Sequence, residues 1–235
     1  MTATARDVRA QLLRLAERHR VLRAEGADTR LPHQSSLAAA DPAALRHAAV
    51  LILFGRLDER LAEHASEVVP EDLDLLFVER AATLRQHAGQ VAFPGGKVDA
   101  TDASVVGAAL REAEEETGLD PAGVEVLGTL VDRELPVTDF LVTPVLGWWA
   151  EPSEVFVVDP AESAHVFRAP VADLLDPGNR VLTVLEHEGR RFEGPGFLVD
   201  GTLIWGFTAL IVSSIFDELG WTREWDRTRE HRVRR

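Results

Sequence analysis

Residues 95–119, GGKVDATDASVVGAALREAEEETGL, put Glu112, Glu115 and Glu116 at positions i, i+3 and i+4. At 3.6 residues per turn these three carboxylates share one face of a helix. The apolar residues Val106, Leu110 and Ala113 recur at i, i+4 and i+7, about 100° further round by the same geometry. The spacing therefore predicts a helix over 104–116 with a core side and a separate carboxylate side, and with Glu114 pointing away from both. Asp102 or Ser104 can cap its start, and Gly118 stands where a glycine ends a helix. Like charges at i, i+4 cost an isolated helix roughly 0.2–0.5 kcal/mol per pair. Such a face calls for a cation, and hard divalent ions such as Mg²⁺ or Mn²⁺ are the usual partners of clustered carboxylate oxygens.

A chain of 235 residues with 46% hydrophobic content suits one globular domain with extensions. The expected division is an N-terminal helix and connector at 1–45, a main domain at 46–220 and an Arg-rich tail at 221–235. No apolar run reaches the ~18–20 residues of a membrane span. Arginines interrupt the N-terminus throughout, so it lacks the apolar block of a signal peptide. The expected location is cytoplasmic, with no membrane partner. The absence of cysteine excludes disulfides, thiol catalysis and cysteine-ligated zinc.

Charge is uneven. Residues 1–36 carry seven arginines against four acids and residues 223–235 six against three, leaving 12 bases and 32 acids between them. A middle that acidic is a poor surface for nucleic acid, whose binding needs Lys and Arg on the phosphates. A phosphorylated ligand there requires metal ions to reverse the local potential. The basic termini read as a solvated helix face and a frayed tail; covering the core or building a homodimer interface are the other roles left to them.

Residues 5–24 form an amphipathic pattern, with Val8, Leu12, Leu15 and Leu22 on one stripe. Residues 25–47, with Gly26, Pro32, Ser35, Ser36 and Pro42, read as a connector. Strands are expected at 48–54, 73–78, 124–131, 140–149, 180–185 and 196–199, with a strand-like QVAF ahead of the Pro94-Gly95-Gly96 break. A helix near 162–174 and a long one over 202–219 complete the reading. Strands interspersed with a few helices indicate an α/β or α+β domain with helices on a mixed sheet. Trp148 and Trp149 are adjacent, so on a strand they face opposite sides.

The stretch RQHAGQVAFPGGKVDATDASVVGAALREAEEETGL resembles the signature of the Nudix hydrolases. That signature runs Gly, five residues, Glu, seven residues, Arg-Glu, an aliphatic, any residue, Glu-Glu, any residue, Gly, an aliphatic. Arg111 to Leu119 match its second half throughout. In the first half, five residues on from Gly96 lies Asp102, not Glu, and eight residues separate it from Arg111. Upstream, Leu76-Phe77-Val78-Glu79-Arg80-Ala81, then Arg85, Gly89 and Phe93-Pro94-Gly95-Gly96, resemble the additional motif of the coenzyme A pyrophosphatase branch, with its usual Leu-Leu-Thr opening replaced by Leu-Phe-Val. PVTDFLVTPVLGWW, FRAPVADLLDPGNR and IWGFTALIV also resemble that branch, so the likeness spans roughly residues 46–220.

The resemblance implies an α/β/α sandwich, a mixed sheet with helices on both sides, preceded here by an N-terminal helix. It implies a pyrophosphohydrolase acting on a small-molecule nucleoside diphosphate derivative, CoA or acyl-CoA in the branch motif. Its cofactor would be Mg²⁺ or Mn²⁺, held by Glu115 and Glu116 with Glu112 third. Gly95 and Gly96 would give the backbone a positive φ and close approach to metal or phosphate. Arg80 and Arg85 are the phosphate candidates, since a guanidinium binds oxygens bidentately. His87 is expected at the substrate, and Lys97, the only lysine, reads as solvent-exposed. Arg111 lies more than 90° from the middle of the carboxylate face by helix geometry; the resemblance gives it a structural pairing with an acid that holds the loop. The general base sits either on a box glutamate or on a downstream acid, and Glu162 is the downstream candidate, with a helix-start role as the alternative.

Overall fold

The computed structural model describes residues 4–27, 45–56, 61–83, 87–135, 139–187 and 189–233. Most of the connector expected at 25–47, and Arg85, lie outside these residues. In chain order the elements are α1 (Ala5–Ala24), β1 (Arg46–Gly55), β2 (Asp74–Arg80), β3 (Val91–Ala92), β4 (Gly95–Lys97), α2 (Val105–Thr117), β5 (Val124–Thr129), β6 (Arg133–Leu135), β7 (Phe140–Trp149), β8 (Ser163–Pro170), α3 (Val171–Leu175), β9 (Arg180–His187), β10 (Arg190–Val199), β11 (Thr202–Ile204), α4 (Gly206–Glu218) and β12 (Glu230–Val233). The fold is mixed α+β. Two compact units divide it: Arg9–Gly55 with Phe93–Val158, and Met1–Val8 with Arg56–Ala92 and Asp159–Arg235. Among the described residues no helix is long and apolar enough to cross a membrane.

The unit containing α2 is organised by β1 and β7, both near-continuous apolar runs, as strands covered on two faces are. They pair in parallel from Arg46 opposite Phe140 to Gly55 opposite Trp149. β5 and β6 add to β7, and β4 adds to β1, all antiparallel. Trp149 is buried while Trp148 is half-exposed, as adjacent strand positions require. The N-terminal helix fastens to the β5–β6 region. Arg9 pairs with Glu125, Arg23 reaches Asp132 and the Leu130 carbonyl, and His19 Nδ1 accepts the Val131 N–H. Gly128 permits this approach, since a Cβ there would lie 2.9 Å from the Ala16 methyl. Val8, Leu12 and Leu15 are fully buried; Leu22, expected on the same stripe, is 37% exposed, and the buried positions on the last turns pass to Ala16 and His19.

In the other unit β2 is flanked antiparallel by β3 and β8. A four-stranded sheet, β11-β10-β9-β12, carries α4 against β10. Here the structure corrects three expectations. Residues 162–174 are mainly strand: β8 pairs Val166 with Val78 and Phe167 with Phe77, and only Val171–Leu175 turn helical. Pairing of alternate side chains with β2 outweighs the weak helical pattern. The helix expected from 202 starts at Gly206, because Asp200 and Gly201, both at positive φ, turn β10 back into β11. The tail is not frayed over its described residues. Trp221 is buried, Trp225 lies 5.0 Å from the Arg180 guanidinium, and β12 pairs in parallel with β9.

Candidate active site

Helix α2 begins at Ser104, whose hydroxyl accepts the Gly107 N–H, and ends at Gly118 with φ 70°. Of the two capping candidates the serine is the one used, an arrangement of the kind that contributes about 1 kcal/mol. Its buried residues are Ala108, Ala109, Ala113 and Thr117, and it packs on β1 and β4. Val106 and Leu110, expected to form the core side, are only half-buried. Alanine methyls let the helix approach the strands closely, which rotates the buried side towards the acids. Glu112 and Glu116 consequently sit at the margin of the interface, and Glu115 stands further out.

The two glycines are strand residues, and of the two only Gly95 has the positive φ expected of both. Ala49 opposes Gly96 and Val50 opposes Gly95, and the flanking bonds Leu51 N–H to Pro94 C=O and Val98 N–H to His47 C=O fix the segment to β1. Gly95 has φ 152°, and a Cβ on it would run into the Ala49 carbonyl and the Val50 backbone. A Cβ on Gly96 would overlap the Glu112 carboxylate. The Gly95 N–H donates to Glu116 Oε2 at 3.0 Å. Two of the three carboxylates are thus seated against the bare backbone of β4.

Arg111 ties this face together. Its Nε and Nη2 donate to Asp102 at 2.9 and 3.0 Å, a bidentate pair that matches the structural role implied for it. Its Nη1 donates to Glu112 Oε1 at 2.9 Å and Glu115 Oε2 at 3.0 Å. The second pair of contacts was not expected from helix geometry. A long side chain crosses that angle, and the Arg111–Glu115 spacing of four residues was the available signal. Asp102 also accepts the Asp99 N–H, and the guanidinium with that N–H holds its carboxyl down at about 2. The Arg111 guanidinium is pushed up in turn, chiefly by Asp102. Burial pushes Glu112 up, Arg111 opposes it, and Glu115 and Asp99 add like-charge repulsion.

No three His, Asp or Glu side chains among the described residues converge as a ready-made metal site. Two glutamates are nonetheless gathered on one cationic nitrogen, and the donors are all carboxylate oxygens, the set that suits a hard divalent ion. The donor types of Glu112, Glu115 and Glu116 would suit such an ion.

Of the remaining candidates, Arg80, His87 and Glu162 belong to the other unit and Lys97 to the unit of α2. Arg80 ends β2 opposite Ser163, and its buried Nε has no hydrogen-bond acceptor among the described residues. Glu162 is exposed; its carbonyl accepts the Ala81 N–H at 2.8 Å, so it enters a strand and is not a helix start. Glu162 and Arg80 are therefore neighbours across β2 and β8. His87 is exposed at φ 57°, with Nδ1 2.8 Å from Gln90 Oε1. Lys97 is exposed, 3.9 Å from Asp99.

Comparison with known proteins shows the family of the chain. The family model for the NUDIX domain matches residues 65–193, more than half of the chain. The chain belongs to the Nudix family. It is 42% identical over 146 residues to an uncharacterized Nudix hydrolase, NudL, of Cronobacter sakazakii, covering 62% of this chain and 75% of the relative. The NudL of Salmonella newport is 40% identical over 153 residues with the same shares. Among solved structures it is similar to a MutT/nudix family protein from Enterococcus faecalis, 19% identical, with a TM-score of 0.43 over 94% of this chain and 76% of that one. In Nudix terms Arg111 to Leu119 are the second half of the family's box, and they form the greater part of α2 and its cap.

Proposed function

We propose that this Nudix protein is a divalent-metal-dependent pyrophosphohydrolase that cleaves the diphosphate of CoA or acyl-CoA, releasing 3′,5′-ADP and (acyl-)4′-phosphopantetheine, with residues 46–220 as its catalytic domain. The observation that carries the chemistry is the joint hold of Glu112 and Glu115 on one cationic nitrogen, with Glu116 anchored beside them on Gly95. Glu112, Glu115 and Glu116 would hold Mg²⁺ or Mn²⁺. The bound ion supplies charge neutralisation at the diphosphate oxygens and a lowered pKa for the attacking water.

The remaining work falls to the chain. Withdrawal of Arg111 Nη1 frees two carboxylates while its Asp102 pair keeps the loop in position. Arg80, short of an acceptor at Nε, binds diphosphate oxygens, with Arg85 and His87 assigned to the same ligand. Water adds to phosphorus, the bridging P–O bond breaks and the displaced phosphate leaves. The water proton passes to a carboxylate, Glu162 or one of the box glutamates Glu115 and Glu116. The lean towards CoA is supported by the Arg80–Arg85–Gly89 spacing. The Leu-Phe-Val opening favours a second reading with the same chemistry and another substrate: a nucleotide sugar, a dinucleotide or a dNTP. A non-catalytic ligand-binding module is the weakest reading, since it has no need of self-repelling carboxylates.

The test is incubation with Mg²⁺ or Mn²⁺ and CoA, acetyl-CoA, NADH, ADP-ribose, ADP-glucose and dNTPs, with separation of products. Formation of 3′,5′-ADP from CoA is expected; its absence alongside turnover of another compound selects the second reading. Glu115→Gln and Glu116→Gln are each expected to lower kcat by orders of magnitude with an unchanged circular dichroism spectrum, and near-wild-type turnover in both would refute the metal assignment.

A further inference from the structure

Arg180 opens β9 and is the most completely buried arginine among the described residues, at 2% exposure. Its Cζ lies 4.3 Å from the centre of the Phe197 ring and 5.0 Å from that of Trp225. Nη2 donates to Ser213 Oγ on α4 at 3.1 Å. Nε is buried and finds no acceptor among the described residues. Burial pushes the guanidinium down to about 10, with Asp217 opposing from a distance and Arg227 adding like-charge repulsion. No step of the proposed hydrolysis uses this group.

A buried charge without a partner is strongly unfavourable. Aromatic faces answer part of the charge, but they bring no oxygen to the N–H donors, of which a guanidinium has five. The acids nearby are turned to other groups. Asp217 Oδ1 accepts the Thr222 hydroxyl, and Asp226 Oδ1 accepts the Thr228 N–H and hydroxyl. Instead of a carboxylate, the C-terminal segment brings a second cation: the exposed Arg227, whose Cζ is 5.4 Å from the same Trp225 ring. Two guanidiniums on one indole, one of them buried with an unused donor, call for an anion that the chain itself does not supply.

We propose that Arg180 and Arg227, both lying against Trp225, bind a small oxyanion, a phosphate or carboxylate group that takes the unused Nε edge of Arg180. Adjacent N–H donors of a guanidinium match two oxygens side by side, which favours an oxyanion over a halide. Ser213 Oγ accepts from Nη2 and keeps its own proton to donate to the same ligand. Trp225 is half-exposed and stands on a stretch without regular structure, so its ring is the part that yields to admit the anion. The proposal is independent of which diphosphate the protein hydrolyses.

The experiment titrates tryptophan emission of the full chain with inorganic phosphate, acetate and chloride at constant ionic strength, and reads Tm alongside. EDTA is present throughout, so that no divalent ion recruits phosphate to the carboxylate face. A hyperbolic change with phosphate or acetate, accompanied by a higher Tm, is expected; the more effective of the two names the group bound. The chain has five tryptophans, and loss of the emission change in Trp225→Phe assigns the signal. Arg180→Met should abolish the response. Arg227→Gln, at an exposed position where folding is not at stake, should weaken it about tenfold, the loss of one charged hydrogen bond. Arg80→Ala should leave it intact, which separates this anion from the one assigned to Arg80. A response to phosphate and acetate no greater than that to chloride overturns the proposal. So does a wild-type affinity in Arg227→Gln, or a response that disappears in Arg80→Ala.

Discussion

Gly96→Ala is a one-methyl change whose effect can be worked out in advance. A Cβ at position 96 would lie 2.5 Å from Glu112 Cδ and 2.8 Å from Oε1, whereas ordinary contacts begin near 3.4 Å. The carboxylate must therefore withdraw by about 1 Å, and a misplacement of that size in a catalytic group costs on the order of 10²-fold. Expressed as transition-state stabilisation this is about 2.7 kcal/mol. Stability should change much less. Position 96 has no positive φ, so alanine recovers roughly 0.4–1 kcal/mol of unfolded-state entropy against the cost of moving one half-buried side chain. The assay pairs kcat/KM for pyrophosphate hydrolysis with Mn²⁺ affinity from electron paramagnetic resonance and with Tm. A fall of about 10²-fold, weaker Mn²⁺ binding and a Tm within a few degrees of wild type are expected. The control is Gly95→Ala, where the methyl meets backbone atoms of Ala49 and Val50 at φ 152° and should lower Tm sharply. Wild-type kcat/KM and Mn²⁺ affinity in Gly96→Ala would refute the reasoning.

Asp102, held at about 2 by Arg111, contributes stability that is present above its unfolded value near 3.8 and lost as pH falls towards 2. Asp102→Asn should therefore flatten the stability profile in that window, as read by acid titration of circular dichroism; an unaltered acid limb would exclude the pair as its source. Trp221→Ala removes a side chain that is 2% exposed and should cost about 3 kcal/mol, visible as a lower denaturant midpoint; a midpoint equal to wild type would show that the C-terminal segment does not brace the core. Gly128→Val should loosen α1 from the β5–β6 region, because any Cβ there meets Ala16. Faster proteolysis within residues 5–24 would register it, and unchanged cleavage would count against the close approach.

Much of the fold was legible because its signals are local. The α2 segment carries its period, its Ser104 cap and its Gly118 stop in thirteen residues and their neighbours, and β1 and β7 announce themselves as apolar runs. What the sequence misreported depends on partners remote in the chain. Residues 163–170 become a strand because β2 is there to pair with them, and Glu230–Val233 because β9 is. The buried side of α2 was misjudged since alanine scores weakly as apolar yet permits the closest approach. At the site, the three glutamates and two glycines could be found by spacing alone. The reach of Arg111 to Glu112 and Glu115, and the seating of Glu112 on Gly96, could not, because side-chain length and inter-element distance are absent from periodicity.

The parallel ladder of β1 with β7 has a kinetic consequence. Each β1 residue is paired with one 94 positions further on, Arg46 with Phe140, and contacts so distant in sequence form slowly, after their loop-closure cost has been met. Helix α2, encoded between them, can acquire its turns long before its strands exist to receive it. Its glutamates become a face only when β4 lies against β1 and the Gly95 N–H is in place to donate to the Glu116 carboxylate. During refolding, recovery of helical signal should therefore run ahead of recovery of Mn²⁺ binding, and the interval between them times the assembly of the sheet.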